Sequence, residues 1–253
     1  MEGFDASTYG ERIADVYDEW YDDVSDVDAT VATVEALAGG GPVLELGVGT
    51  GRLAVPLAQR GLEVHGIDAS PAMLERLATK AAAAGVTVHA HRGDFADVAV
   101  DVPDGFAVVL VAFNTLFNLA DADAQGRCLA SVARRLRPDG CLVVEAFVAG
   151  VPGPDFAPEG GAVTPRAIEA DRVVLQVSMH DVATQTVRGS LVTITEAGIR
   201  LRPWFLRWAT PEQLDAMAAA AGLDRAERWG GWDRQPFDDE SPRHVTLYRP
   251  TGR

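Results

Sequence analysis

Three glycines recur at alternate positions in the run Val43-Leu44-Glu45-Leu46-Gly47-Val48-Gly49-Thr50-Gly51. Placed between a strand and a helix, they let the backbone turn tightly and approach a ligand that a Cβ would hold away. The following helix would offer unpaired N–H groups and a partial positive charge. Asp68 ends the next apolar run, 17 residues after Gly51. A carboxylate there can accept both ribose hydroxyls of an adenosine moiety. Glu45, near the end of the strand, is unwelcome beside a pyrophosphate and suits a cationic ligand group. An NAD(P)-dependent oxidoreductase would carry G-x-G-x-x-G. Here the third glycine comes one residue early, and Arg52 holds the expected place.

These groups need a scaffold, and alternating apolar runs supply one. Strands are expected over residues 42–46, 62–67, 86–90, 106–112 and 141–147, with helices over 52–60, 71–84 and 123–136 between them. Ser70 caps the second helix, Pro71 takes its first position and Gly85 stops it. Alternation of this length implies right-handed crossovers and a parallel sheet covered on both sides. The Gly/Pro-dense stretch 148–165 reads as a loop. Beyond it, residues 172–179, 190–196 and 199–208 read as antiparallel strands. Thr210 and Gln213 open a last helix, and 223–229 and 243–249 return as the final strands.

Composition bounds the partners. Among 253 residues, 37 acidic side chains face 22 Lys+Arg, a net charge of −15. That field disfavours nucleic acid and anionic membrane surfaces. No run approaches the roughly 18 apolar residues of a membrane span. The acidic N-terminus has no apolar signal core. Two isolated cysteines, Cys128 and Cys141, make neither a disulfide framework nor a zinc pattern, so a cytoplasmic protein is expected. No metal constellation stands out. The acidic run Asp15–Asp28 reads as a solvated face.

With ELGVGTG at 45–51, GIDAS at 66–70, GDF at 93–95, AFNTLFNL at 112–119 and LRPDG at 136–140, the chain resembles the class I S-adenosylmethionine (SAM) methyltransferases. The resemblance is strong over residues 7–147. It implies an α/β fold: a doubly wound, mostly parallel seven-stranded Rossmann-like sheet with an antiparallel last strand and a β-rich insertion. The expected division is a helical lid (1–30), a SAM-binding core (31–147), an insertion capping the acceptor pocket (148–209) and closing elements (210–253). By the resemblance, SAM lies along Glu45, Gly47, Gly49, Gly51 and Arg52. Asp68 holds the ribose, Asp94 and Phe95 flank adenine, and Ala69 and Met73 either touch adenine or pack in the core. Ala112 and Asn114 belong to the loop on the methionine and substrate side.

Tyr9, Tyr17, Trp20 and Tyr21 crowd one short acidic segment, which resembles the lid of bacterial amino-sugar N,N-dimethyltransferases. On that likeness Tyr9 faces the acceptor with Tyr21 nearby, and Tyr17 faces the cofactor carboxylate. Asn118 falls where those enzymes carry a pocket histidine, and Arg243 where they carry an arginine near the acceptor. Trp204 and Trp208 are candidates to roof an apolar pocket. Transfer from a sulfonium needs alignment and exclusion of water, and for a hydroxyl or carbon acceptor also a base or metal. Glu145, His180 and His244 are the candidate bases; His65, His89 and His91 fit packing or rim positions better. The resulting expectation is a SAM-dependent methyltransferase acting on N, O or C of a small, specialised metabolite, as a monomer or homodimer. A non-catalytic SAM-binding protein is a further alternative.

Overall fold

A computed structural model describes residues 3–21, 26–98, 102–151 and 159–252. Short helices α1 (Thr8–Ile13) and α2 (Tyr17–Tyr21) precede α3 (Val27–Ala38). Then β1 (Val43–Leu46), α4 (Ala54–Gln59), β2 (Val64–Asp68), α5 (Pro71–Ala84), β3 (His89–Arg92), β4 (Phe106–Val111), α6 (Ala122–Arg135) and β5 (Leu136–Phe147) alternate. A four-stranded insertion follows: β6 (Gly160–Ile168), β7 (Arg172–Asp181), β8 (Thr186–Thr195) and β9 (Gly198–Arg207). Helix α7 (Pro211–Ala220) and strands β10 (Leu223–Trp229) and β11 (Arg243–Pro250) close the chain.

The seven-stranded sheet has the order β10-β11-β5-β4-β1-β2-β3. It is parallel except where β11 runs against both β5 and β10. β1 and β4 are buried at every position, as the unbroken apolar run of β4 requires of a strand covered on two sides; β1 carries one charged residue, the buried Glu45. One face packs on α3, α4 and α5 through Val34, Leu57 and Leu77. The other packs on α6 and α7 through Leu129, Val132 and Leu214. Strand order reverses at β1 and β4, so the carboxyl ends of these strands form the crevice where ligands of such sheets bind.

Most element ends shift by a few residues, β8 by four at its start, and three differences from the sequence reading change the architecture. β3 starts at His89 rather than residue 86, because its only ladder is with β2, beginning His65↔His89. β5 starts at Leu136, which pairs with Phe106 ahead of a register shift, so Pro138-Asp139-Gly140 lies within the strand. The insertion has four strands, not three. Its first, β6, occupies the end of the stretch expected to be loop, of which residues 152–158 lie outside the described residues. Pro165 fits there because β6 is an edge strand with a register shift between Pro165 and Ala167. A missing N–H is tolerated at such a place.

Candidate cofactor and acceptor site

The glycine loop connects β1 to α4, and Gly47, Gly49 and Gly51 all have positive φ. Their surroundings differ. A Cβ on Gly51 would lie 2.3 Å from Leu77 Cδ1, so this glycine lets α5 close on the loop. A Cβ on Gly49 would meet nothing nearer than the Gly47 carbonyl at 4.0 Å. Gly49 therefore opens bare backbone to space that a ligand can fill. Its N–H donates to Asp68 Oδ2 at 2.9 Å, and the Ser70 N–H donates to Oδ1 at 2.9 Å. Two donors thus aim the Asp68 carboxylate, whose remaining lone pairs can accept hydroxyls. Burial raises its pKa, against the pull of these N–H groups.

Glu45 is buried, and its Oε2 has no hydrogen-bond partner. Burial pushes the carboxyl up to about 8, although the Arg52 guanidinium and the Ala54 N–H pull it down. A buried carboxyl with an open oxygen beside the loop is a site for a cation. Arg52 lies over the Phe113 ring at 5.7 Å. Ala69 adds an N–H toward Asp68. Asp94 is exposed and accepts the Ala96 N–H at 2.8 Å, while Phe95 is half-buried against the core. Met73 is buried under the lid with Ile13 and Ala14 rather than open to a ligand.

Ala112 is buried at the end of β4, and the chain then turns through Phe113 and Asn114, both with positive φ. The turn is tied to β5. Phe113 N–H donates to Glu145 Oε2 at 2.9 Å, Asn114 N–H to the Glu145 carbonyl at 3.0 Å, and Phe147 N–H to Asn114 Oδ1 at 2.7 Å. Phe113, Asn114, Glu145, Ala146, Phe147 and Arg243 line a small cleft here. The lid stands beside it. Tyr17 stacks on Tyr21 at 4.9 Å, Tyr21 meets the Phe113 ring edge-on at 6.1 Å, and Arg166 of β6 lies over Tyr21 at 5.6 Å. Burial carries the Tyr9 phenol well above its ordinary range, with Tyr21 adding to the shift, and Tyr17 up to about 12. Both keep their protons at neutral pH, so they act as O–H groups and not as anionic bases. Trp204 crosses Gly189, where a Cβ would stand 2.3 Å from the indole, and touches both the lid and the main core.

Several expected site residues are placed elsewhere. His180 is buried, and its Nε2 accepts the Trp208 indole N–H at 3.0 Å, so that lone pair is committed to packing the insertion on the core. Trp208 is correspondingly core rather than roof. His244 is fully buried; its Nδ1 lies 2.8 Å from Thr246 Oγ1, and burial pushes it down to about 3. Its register partner is Ala146, while Glu145 pairs with Val245. Alternation therefore turns His244 to the sheet face away from Glu145. Asn118 donates to the Thr115 carbonyl at 3.2 Å within a single 3₁₀ turn.

The acidic run is not simply a solvated face, although its residues 22–25 lie outside the described residues. Asp15 pairs with Arg200 and Arg202 of β9 at 2.8 and 3.0 Å. Asp18 accepts from Thr50 of the glycine loop at 2.6 Å and from Lys80 at 2.9 Å. Glu19 pairs with Arg172 of β7 at 2.9 Å. Arg202 is buried under Trp20, 5.1 Å from its ring. Sequence reasoning missed Arg166, Arg202 and these partners. Phe113 and Thr50 had a signal, their places within AFNTLFNL and ELGVGTG.

Known proteins match this arrangement. Residues 43–140 match a family described as a methyltransferase domain. The CcbJ methyltransferase from Streptomyces caelestis has 41% identity and a TM-score of 0.88, covering 98% of this chain and 99% of its own. The cypemycin N-terminal methyltransferase of a Streptomyces species is 29% identical over 242 residues, 94% of this chain and 95% of that one. CalS10, an amino pentose methyltransferase from Micromonospora echinaspora solved with SAM bound, shares the fold with a TM-score of 0.66 at 23% identity, over 92% of each chain. The chain belongs to the class I S-adenosylmethionine-dependent methyltransferases. It is an enzyme whose cofactor is SAM, and the open Gly49 backbone, the aimed Asp68 carboxylate and the unpartnered Glu45 oxygen fit that group.

Proposed function

We propose that the enzyme methylates an amine nitrogen of a small specialised metabolite in the cytoplasm. The observation that carries this reading is the cleft beside the glycine loop: it holds one carboxylate, Glu145, and one cation, Arg243, and no histidine among its lining residues. An amine supplies its own lone pair and needs orientation more than a strong base. SAM, when bound, supplies a methyl carbon on a good leaving group. Glu45 holds the ammonium of its methionine part and Asp68 its ribose. Glu145, fixed by the Phe113 N–H, accepts the N–H of the acceptor and points the nitrogen lone pair toward the cofactor. Arg243 receives a carboxylate or phosphate on the acceptor. Tyr9 and Tyr21, with Trp204 and the insertion, cover the cleft and keep water from it.

The name of the cypemycin relative, an N-terminal methyltransferase, supports nitrogen as the acceptor. Transfer of deuterated methyl from labelled SAM to a panel of amines, alcohols and phenols, read by mass spectrometry, tests the proposal. Label on nitrogen is expected; label confined to oxygen or carbon overturns it. Glu145→Ala, which removes the oxygen that orients the amine, should lower kcat about 100-fold while leaving SAM affinity unchanged, and Glu145→Gln, which keeps an acceptor oxygen, should lower it less.

Of the two assembly states, the homodimer is favoured by the outer face of the insertion. Val163, Ile168, Met179, Ile199 and Leu201 stand exposed there. Four strands of about ten residues span roughly 650 Å² in plan, close to the ~800 Å² per partner of a standard interface. Sedimentation should give twice the chain mass, and Ile199→Glu with Leu201→Glu should halve it.

A further inference from the structure

Three of the five histidines, His65 of β2 and His89 and His91 of β3, are gathered by the fold at one edge of the main sheet. β2 and β3 run parallel with His65 opposite His89 and Ile67 opposite His91. Side-chain alternation then turns all three imidazoles to one face, which Glu63, two residues before His65, shares. His65 stacks on His89 at 4.7 Å and on His91 at 5.3 Å. His65 is buried at 6% exposure, whereas Glu63 and His89 face solvent. The ligand atoms of Glu63, His65 and His89 all lie within 4.8 Å of one another. His65 Nε2 and Glu63 Oε1 are 3.1 Å apart. Two ligands about 2.0–2.1 Å from a tetrahedral zinc ion are separated by nearly this distance, ~3.3 Å.

We infer that Glu63, His65 and His89 form a binding site for a divalent transition metal of the zinc class, separate from the cofactor cradle. Imidazole and carboxylate are ligand types such ions accept, and three of them leave a fourth position for water. His91 completes the arrangement from behind. With the metal on His65 Nε2, the ring carries its proton on Nδ1, which donates to His91 Nε2, now 3.0 Å away. Metal-bound imidazoles are oriented by such a partner. The ion would act as a staple. β3 is the outermost strand, bonded to β2 alone, and a metal bridging His65 and His89 pins the two together. Asp68 lies three residues further along β2, about 10 Å from His65, so the ion and SAM do not compete for space.

Titration of tag-free protein with Zn²⁺ alone, by calorimetry in excess Mg²⁺ to occupy weak acidic sites, tests the inference. One ion per chain is expected, with a rise in Tm of about 5 °C at saturation. Co²⁺ in its place should give the visible absorption of a tetrahedral site. Glu63→Ala and His89→Ala alter exposed side chains, so the fold should survive, as unchanged SAM affinity would verify. Each should weaken Zn²⁺ at least tenfold, and His91→Ala about tenfold. Binding that Mg²⁺ abolishes, or equal Zn²⁺ affinity in wild type and both ligand variants, overturns the site.

Discussion

The cofactor cradle and the proposed cover of the neighbouring cleft, the lid packed on the insertion, are built on opposite plans. The cradle is made of neighbours in sequence: Glu45 through Gly51 form one loop, and Asp68 reaches Gly49 across 19 residues. Its donors are backbone N–H groups, and its shape follows from the sign of φ at glycines. The cover joins residues far apart, with Asp15 and Arg202 separated by 187 positions and Glu19 and Arg172 by 153. Its contacts are side-chain ion pairs and aromatic rings. A cradle made of backbone tolerates almost no change of residue type.

The sharpest way to break that contrast is at the glycines. Gly49→Leu places a side chain in the open space beside the loop, and SAM affinity should fall at least about 100-fold by calorimetry. The fold should bear only the positive-φ cost, about 1–2 kcal/mol. Gly51→Ala carries the same cost and also drives a methyl into Leu77, adding about 1–3 kcal/mol. Its Tm should fall further than that of Gly49→Leu. If Gly49→Leu still bound SAM normally, the cradle would not be where the ligand lies.

A second test concerns Glu45. Its folded pKa, about 8, stands above the ordinary 4.5 because burial penalises the charge. The free protein at pH 7 therefore holds it protonated, and a ligand ammonium would draw that proton off. SAM binding at pH 7 should release up to one proton, read by calorimetry in buffers of different ionisation enthalpy. Affinity should rise as pH climbs from about 6 toward 8, until loss of the ligand ammonium's own proton opposes the gain. Glu45→Gln should abolish the proton release and weaken SAM about tenfold. The sign for stability is opposite. A carboxyl whose pKa is raised on folding stabilises fully below pH 4.5 and loses that contribution as pH rises toward 8. The Gln variant should gain on wild type across that window in thermal melts.

The same contrast explains what was legible in the sequence. Strand and helix order, the caps at Ser70 and Thr210 and the glycine loop are local, and each can be read from a few adjacent residues. The His244 assignment failed because one step of strand register decides which sheet face a residue takes, and a sequence position does not carry register. His180 had no local sign that its nitrogen would meet Trp208, 28 residues on. The acidic run looked like a solvated face because its partners, Lys80, Arg172, Arg200 and Arg202, lie on α5 and the insertion. Arg166 follows directly on a stretch whose glycines and prolines spoke for a loop, so the strand that carries it, β6, had no sign in the sequence.

The smallest effects should come from the cover, and they should be graded by burial. Arg202 has 5% side-chain exposure, donates to Thr193 and Asp15 and lies on Trp20, whereas Asp15 is 37% exposed. Removing the guanidinium leaves Asp15 partly solvated, so the loss falls short of a fully buried pair. Arg202→Met should cost about 1–2 kcal/mol in denaturant unfolding and raise KM for the acceptor several-fold, since α1 and Trp20 lose their anchor on β9. Arg172 pairs with Glu19 and Glu169 in solvent, so Arg172→Met should cost less than about 1 kcal/mol. Neither variant should change SAM affinity more than about twofold if the cover and the cradle are separable. A large loss of SAM binding in Arg202→Met would instead mean that the Asp18–Thr50 contact transmits lid position into the glycine loop, and that the two regions act as one.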